Sequence, residues 1–197
     1  MPGKSESLSE QYCSKLAFFA LLAVATAIVQ SHELQDNRAT LVLRDQTHIS
    51  VTLYLSYGDA LHLAIAPESP LPQFWMVYSA ISPDRMQRVL ARAQSRFQAS
   101  TRLYLATGKE LPLTNWVFPD VTQVQAMLQH RIMQAMADPA GHSHDEPLEI
   151  HADANSPEPV TSVRIQFPEE FQKVLVVAYR PSQFWVEPKS WSPAIKF

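Results

Sequence analysis

Two imidazoles and two carboxylates stand within five residues at His142-Ser143-His144-Asp145-Glu146, and a further imidazole follows at His151. Imidazole nitrogen and carboxylate oxygen suit borderline divalent metals, so the segment predicts a site for Ni, Cu or Zn with His142, His144 and His151 as ligands. The same mixture of Pro, Gly, Ser, His and acid is that of an exposed loop, and such loops are commonly just solvated or scavenge metal without fixed geometry. A fourth metal candidate, His32, depends on where the chain is cut. As the first residue of a processed chain it would offer its α-amine and a ring nitrogen to one copper ion, with His48, His62 or His130 completing a histidine brace. His62 and His130 fall within predicted helices, where a structural or surface histidine is the plainer reading.

The reason to consider such a cut is the apolar run LAFFALLAVATAIV at residues 16–29, preceded by Lys15 and followed by small residues. This is the pattern of a secretory signal peptide, predicted here as residues 1–31 with cleavage between Ser31 and His32. A membrane span needs roughly 20 apolar residues, so an uncleaved anchor, with the domain facing the periplasm from the inner membrane, is the alternative. Glu6 and Glu10 offset Lys4 and Lys15, which keeps that alternative open. Cys13 is the only cysteine and lies before the apolar run, so it would leave with the signal. The mature chain would then hold no disulfide, thiolate metal site or cysteine nucleophile.

Composition narrows the partners. The 197 residues carry a formal net charge of -3, with Lys and Arg scattered, which excludes nucleic acid as a main partner. Membrane contact is expected only if the signal is retained. There is no Gly-x-Ser-x-Gly elbow, no His-Glu-x-x-His helix and no phosphate-binding glycine loop, so no catalytic residue is assigned. Glu169-Glu170 reads as a solvated turn after Pro168. Arg85, Arg88, Arg92 and Arg96 recur on one side of a helix and read as a solvated face.

The elements that must position these groups form an α+β domain over residues 32–197, built of antiparallel strands and hairpins with two long amphipathic helices behind the signal helix. Val/Ile/Leu/Thr-rich runs at Ala39–Leu43 and His48–Tyr57 predict a hairpin, and Thr101–Ala106 with Glu110–Phe118 predict a second one turning at Thr107-Gly108-Lys109. Ser82-Pro83 opens a helix whose apolar face is Met86, Val89, Leu90, Ala93 and Phe97. Asp120 caps another helix with a stripe of Val121, Val124, Leu128, Ile132 and Ala135, and Met127, Met133 and Met136 read as core filling beside it. Pro67–Pro72 predicts an irregular segment, Phe74–Tyr78 a short strand, and Val163–Phe167, Val174–Tyr179 and Phe184–Val186 a strand-rich end with a last edge strand in the tail. Trp75, Trp116 and Trp185 are expected in the core, and Trp191 at a partner contact.

The segment His32-Glu33-Leu34-Gln35-Asp36-Asn37-Arg38 running into the first hairpin, with the strands around Val174 to Val186 and their Tyr179-Arg180-Pro181, resembles the exported N-terminal regions of HupE/UreJ-type membrane proteins of nickel accessory systems. The chain carries no downstream set of membrane helices, so the resemblance implies an extracytoplasmic companion domain and not a transporter. The functional expectation is an exported periplasmic accessory or interaction domain with an envelope or membrane protein as partner, binding a transition metal through histidines. A copper enzyme with a brace at His32 and a structural envelope protein are the alternatives.

Overall fold

Alternation of apolar and polar residues makes His48–Leu55 a strand with one dry face: Ile49, Val51, Leu53 and Leu55 are buried, while His48, Ser50, Thr52 and Tyr54 are half-buried on the other face. This strand, β2, is the centre of the larger sheet. The computed structural model describes residues 37–137, 147–182, 186 and 188–189, all within one unit, Asp36–Phe197. Residues 1–36, with the expected signal segment, Cys13 and His32, the 138–146 segment with His142 and His144, and Trp185, Trp191 and the tail expected as an edge strand lie outside the described residues.

In chain order the elements are β1 (Arg38–Arg44), β2 (His48–Leu55), α1 (Tyr57–Ile65), α2 (Leu71–Ala80), α3 (Pro83–Ser100), β3 (Arg102–Leu105), β4 (Glu110–Leu111), β5 (Leu113–Val117), α4 (Val121–Ala137), β6 (Leu148–Asn155), β7 (Val163–Gln166), a 3-10 turn (Glu169–Phe171) and β8 (Leu175–Tyr179). The larger sheet has the order β5-β6-β2-β1-β8, antiparallel except for the β1–β8 pair, and the smaller has the order β4-β3-β7. The inner face of the larger sheet, the four described helices and the smaller sheet share one buried cluster.

Both expected long helices and the first hairpin are present. β1 and β2 pair from Arg38↔Tyr54 to Arg44↔His48, and the turn places Asp45 and Gln46 at positive φ, 47° and 61°. In α3, Met86, Leu90, Ala93 and Phe97 are buried and Val89 is half-buried. α4 opens on a reciprocal cap: Gln123 N–H donates to Asp120 Oδ1 (2.8 Å), and Asp120 N–H donates to Gln123 Oε1 (2.9 Å).

Several expectations are corrected. Phe74–Tyr78 is the middle of helix α2 and not a strand, because Pro72 lies in the first turn, where a missing N–H costs nothing, and Phe74 plugs into the core from that helix. The second hairpin ends after two residues of β4; past Pro112 the chain crosses to the larger sheet as its edge strand β5. Glu170 is not solvated: it is only 6% exposed, with Arg96 Nε 2.5 Å from its Oε1. Met133 and Met136 are exposed, so they do not fill the core, whereas Arg131 of the same helix is buried. Trp75 and Trp116 are half-buried and packed against the core.

Asn37 ties the start of β1 to three neighbours. Its Nδ2 donates to Phe171 O (2.8 Å), its Oδ1 accepts from Ser56 N–H (2.7 Å), and its carbonyl accepts from Leu175 N–H (2.9 Å).

Tyr57 is 1% exposed at the start of α1, and burial raises its phenol pKa well above the ordinary tyrosine value. The folded state therefore holds this proton more tightly than the unfolded chain, so the associated stability is full below about pH 10 and is lost as pH rises beyond it. Tyr57→Phe is expected to lose less stability than the wild type between about pH 9 and pH 11.5. Urea midpoints at the two pH values measure this; equal alkaline losses would show that Tyr57 does not carry it.

Candidate functional site: a histidine-bearing cleft between a helix and the sheet

α4 and the β5–β6 edge of the larger sheet enclose a cleft of about 660 Å³. Its apolar wall includes Val117, Phe118, Met127 and Leu148, and its polar groups are Gln123, His130, Glu149 and His151. The strand alternation explains two of these. Ile150 and Ala152 point into the core, so Glu149, His151 and Asp153 share the outer face of β6. His130 is an exposed residue of α4, two positions beyond the buried Leu128.

His151 is held from two sides. Its Nε2 lies 3.0 Å from Glu149 Oε2 and its Nδ1 lies 3.2 Å from Thr52 Oγ1, on the paired position of β2. A carboxylate only accepts, so in the neutral ring Nε2–H donates to Glu149 and Nδ1 accepts from the Thr52 hydroxyl. This orients the ring, and it places an imidazole and a carboxylate two residues apart on one strand face, a spacing that can hold a cation between them. His130 Nε2 lies 3.5 Å from Gln134 Nε2.

The other described histidines are engaged elsewhere. His48 pairs with Asn155 in the sheet register, four residues along β2 from Thr52, so about 13 Å of strand separates its row from that of His151. Its Nδ1 lies 2.9 Å from Asn155 Oδ1 and its Nε2 lies 3.3 Å from Asp153 Oδ1. His62 Nε2 donates to Ser69 O (2.8 Å) and the ring meets Phe74 edge-on, a satisfied structural histidine.

Of the residues expected to bind metal, His151 is described and lies in the cleft; His32, His142 and His144 are outside the described residues. Among the described residues no three of His, Cys, Asp and Glu stand close enough together to hold a metal ion. Glu149 has no place among the residues expected from the sequence to bind metal, and His130 reads there as a structural or surface residue. Strand alternation through Glu149-Ile150-His151 would have paired the first with His151, whereas nothing local joins His130 to it. Comparison of the chain with protein-family models, with curated proteins and with solved structures finds no match.

Proposed function

We propose that the chain is an exported accessory domain that binds a transition metal, Ni, Cu or Zn, at the α4–β6 cleft. The observation that supports this reading best is His151 in that cleft, its ring oriented by Thr52 and with Nε2 beside the Glu149 carboxylate. Metal at His151 Nε2 would take the place of the proton that Glu149 now accepts, and the carboxylate would offset the ion's charge. His142 and His144 are proposed as further ligands. Covalent connection supports this, because His144 is three residues from Pro147 at the cleft, a reach of about 11 Å at full extension. Export rests on the apolar run at residues 16–29, and the resemblance to exported regions of nickel accessory proteins supports the accessory role.

Calorimetric titration of the protein with Ni, Cu and Zn tests the reading. One of the three is expected to bind more tightly than to an unrelated histidine-containing control protein. His151→Ala is expected to weaken that binding by about tenfold or more, and His48→Ala to leave it unchanged. Wild-type binding no tighter than the control, or a His151→Ala variant that binds like the wild type, removes the cleft as a metal site.

A further inference from the structure

The two edges of the larger sheet differ in kind. β5 is blunted against further pairing: its register with β6 shifts between Thr114 and Val117, and Asn115 sits there at φ 53°. Among the described residues β8 has no such protection and no strand beyond it. Leu175-Val176-Val177-Ala178-Tyr179 contains no charge, proline, glycine or bulge, and Leu175, Val176, Val177 and Tyr179 are 40–52% exposed. Natural edge strands ordinarily carry one of those devices, because unpaired N–H and C=O groups beside apolar side chains recruit another strand.

The direction of the free groups follows from the register. Leu175 lies opposite Arg38 and Tyr179 opposite Val42, and Leu175 N–H donates to Asn37 O. Along a strand the N–H and C=O groups of one residue point to the same side and alternate with the next. Leu175, Val177 and Tyr179 therefore bond toward β1, and Val176 and Ala178 present their backbone groups to the open side.

Charge decides between occupants. Lys173 and Arg180 flank the apolar run, and no acidic residue occurs between Phe171 and Ser182. A second copy pairing antiparallel on β8 would set Lys173 and Arg180 of each chain beside those of the other, a like-charge arrangement that disfavours pairing. A strand with acidic ends has the complementary pattern.

We propose that β8 is a docking edge, to which an extended segment of a partner protein, apolar at its centre and acidic at its ends, adds as a sixth strand of the larger sheet. This surface is at the opposite edge from the histidine cleft, so the inference does not rest on metal binding.

The probes are two synthetic peptides, Glu-Val-Thr-Val-Thr-Val-Glu and the same sequence with Lys at both ends, titrated against the full chain by fluorescence anisotropy. The acid-ended peptide is expected to bind about fivefold or more tightly than the Lys-ended one. Ala178→Pro removes a donor that faces the open side and no bond to β1, so it is expected to abolish peptide binding. The double variant Lys173→Glu with Arg180→Glu, changed only at exposed positions, is expected to reverse the preference and covers the case in which Ala178→Pro fails to fold. Binding of neither peptide, equal binding of both, no reversal in the double variant, or retained binding by a folded Ala178→Pro would overturn the proposal. So would a dimer in sedimentation that Ala178→Pro dissociates, since the edge would then belong to a second copy.

Discussion

Phe97→Ala is expected to destabilise the domain by about 3–5 kcal/mol, the range for removing a fully buried phenylalanine ring. Phe97 is 0% exposed and stands where three parts of the chain meet: its ring centroid is 6.3 Å from that of Tyr57 on α1, edge-on, and 4.9 Å from that of Phe171 in the 3-10 turn. Alanine would remove both ring contacts and leave a cavity that neither neighbour can fill without leaving its own backbone position. A domain of this size commonly has about 5–15 kcal/mol in hand, so the variant should be folded but close to its limit. Urea denaturation would show a much lower midpoint with an unchanged slope. A loss below about 1 kcal/mol would mean that the α1–α3–turn junction does not share one core.

Asp59→Ala is expected to cost about 3 kcal/mol, more than its half-exposed position suggests. Arg131 reaches from α4 to α1, with Nη1 donating to Asp59 Oδ1 at 2.6 Å and Nη2 donating to Ser56 Oγ at 2.8 Å, and its guanidinium carbon lies 5.3 Å from the Trp75 ring centroid. The arginine side chain is 6% exposed and the aspartate 35%. Removing the aspartate takes from a buried cation the carboxylate that its Nη1 bonds, while Nη2 keeps Ser56 Oγ. Replacing the arginine instead leaves a carboxylate that water can reach. Arg131→Met, which keeps most of the buried volume, is therefore expected to cost less than Asp59→Ala, and comparison of the two urea midpoints decides it. The reverse order would show that the arginine's packing, and not the charge it brings inside, dominates.

The same pair shows where reading the chain stops. Arg131 follows the apolar stripe of α4 by position, yet a charged residue gives no sign of burial until its partners on α1 are known. Helix α3 was legible because the period of its apolar residues is itself the condition for burying one face. The cap at Asp120 was legible because donor and acceptor are three residues apart. Helix α2 reads as a strand in the sequence because Phe74, Trp75, Val77 and Tyr78 favour strands on average and Pro72 resembles a breaker. Its position in a first helical turn, and the core that accepts Phe74, outweigh those preferences.

The histidines divide along the same line. His151 is a candidate ligand by residue type and by nearness in sequence to His142 and His144. Its local alternation with Ile150 would also have brought in Glu149, because two residues along a strand is a fixed geometry. His130 lines the same cleft from α4, whose position is set by its packing on α1, α2 and α3.

What the amino-acid sequence by itself determined is the α+β class, both long helices, the first hairpin and the apolar run that predicts export, all of which depend on periodicity or composition within a short window. Only the tertiary structure decided that Val174–Tyr179, readable as a buried strand, contributes the last strand of the larger sheet among the described residues, that Arg131 and Glu170 are inside, and which histidine shares a cleft with His151. Each of these depends on strand order or on the approach of distant side chains, and no local pattern encodes which strand is last in a sheet.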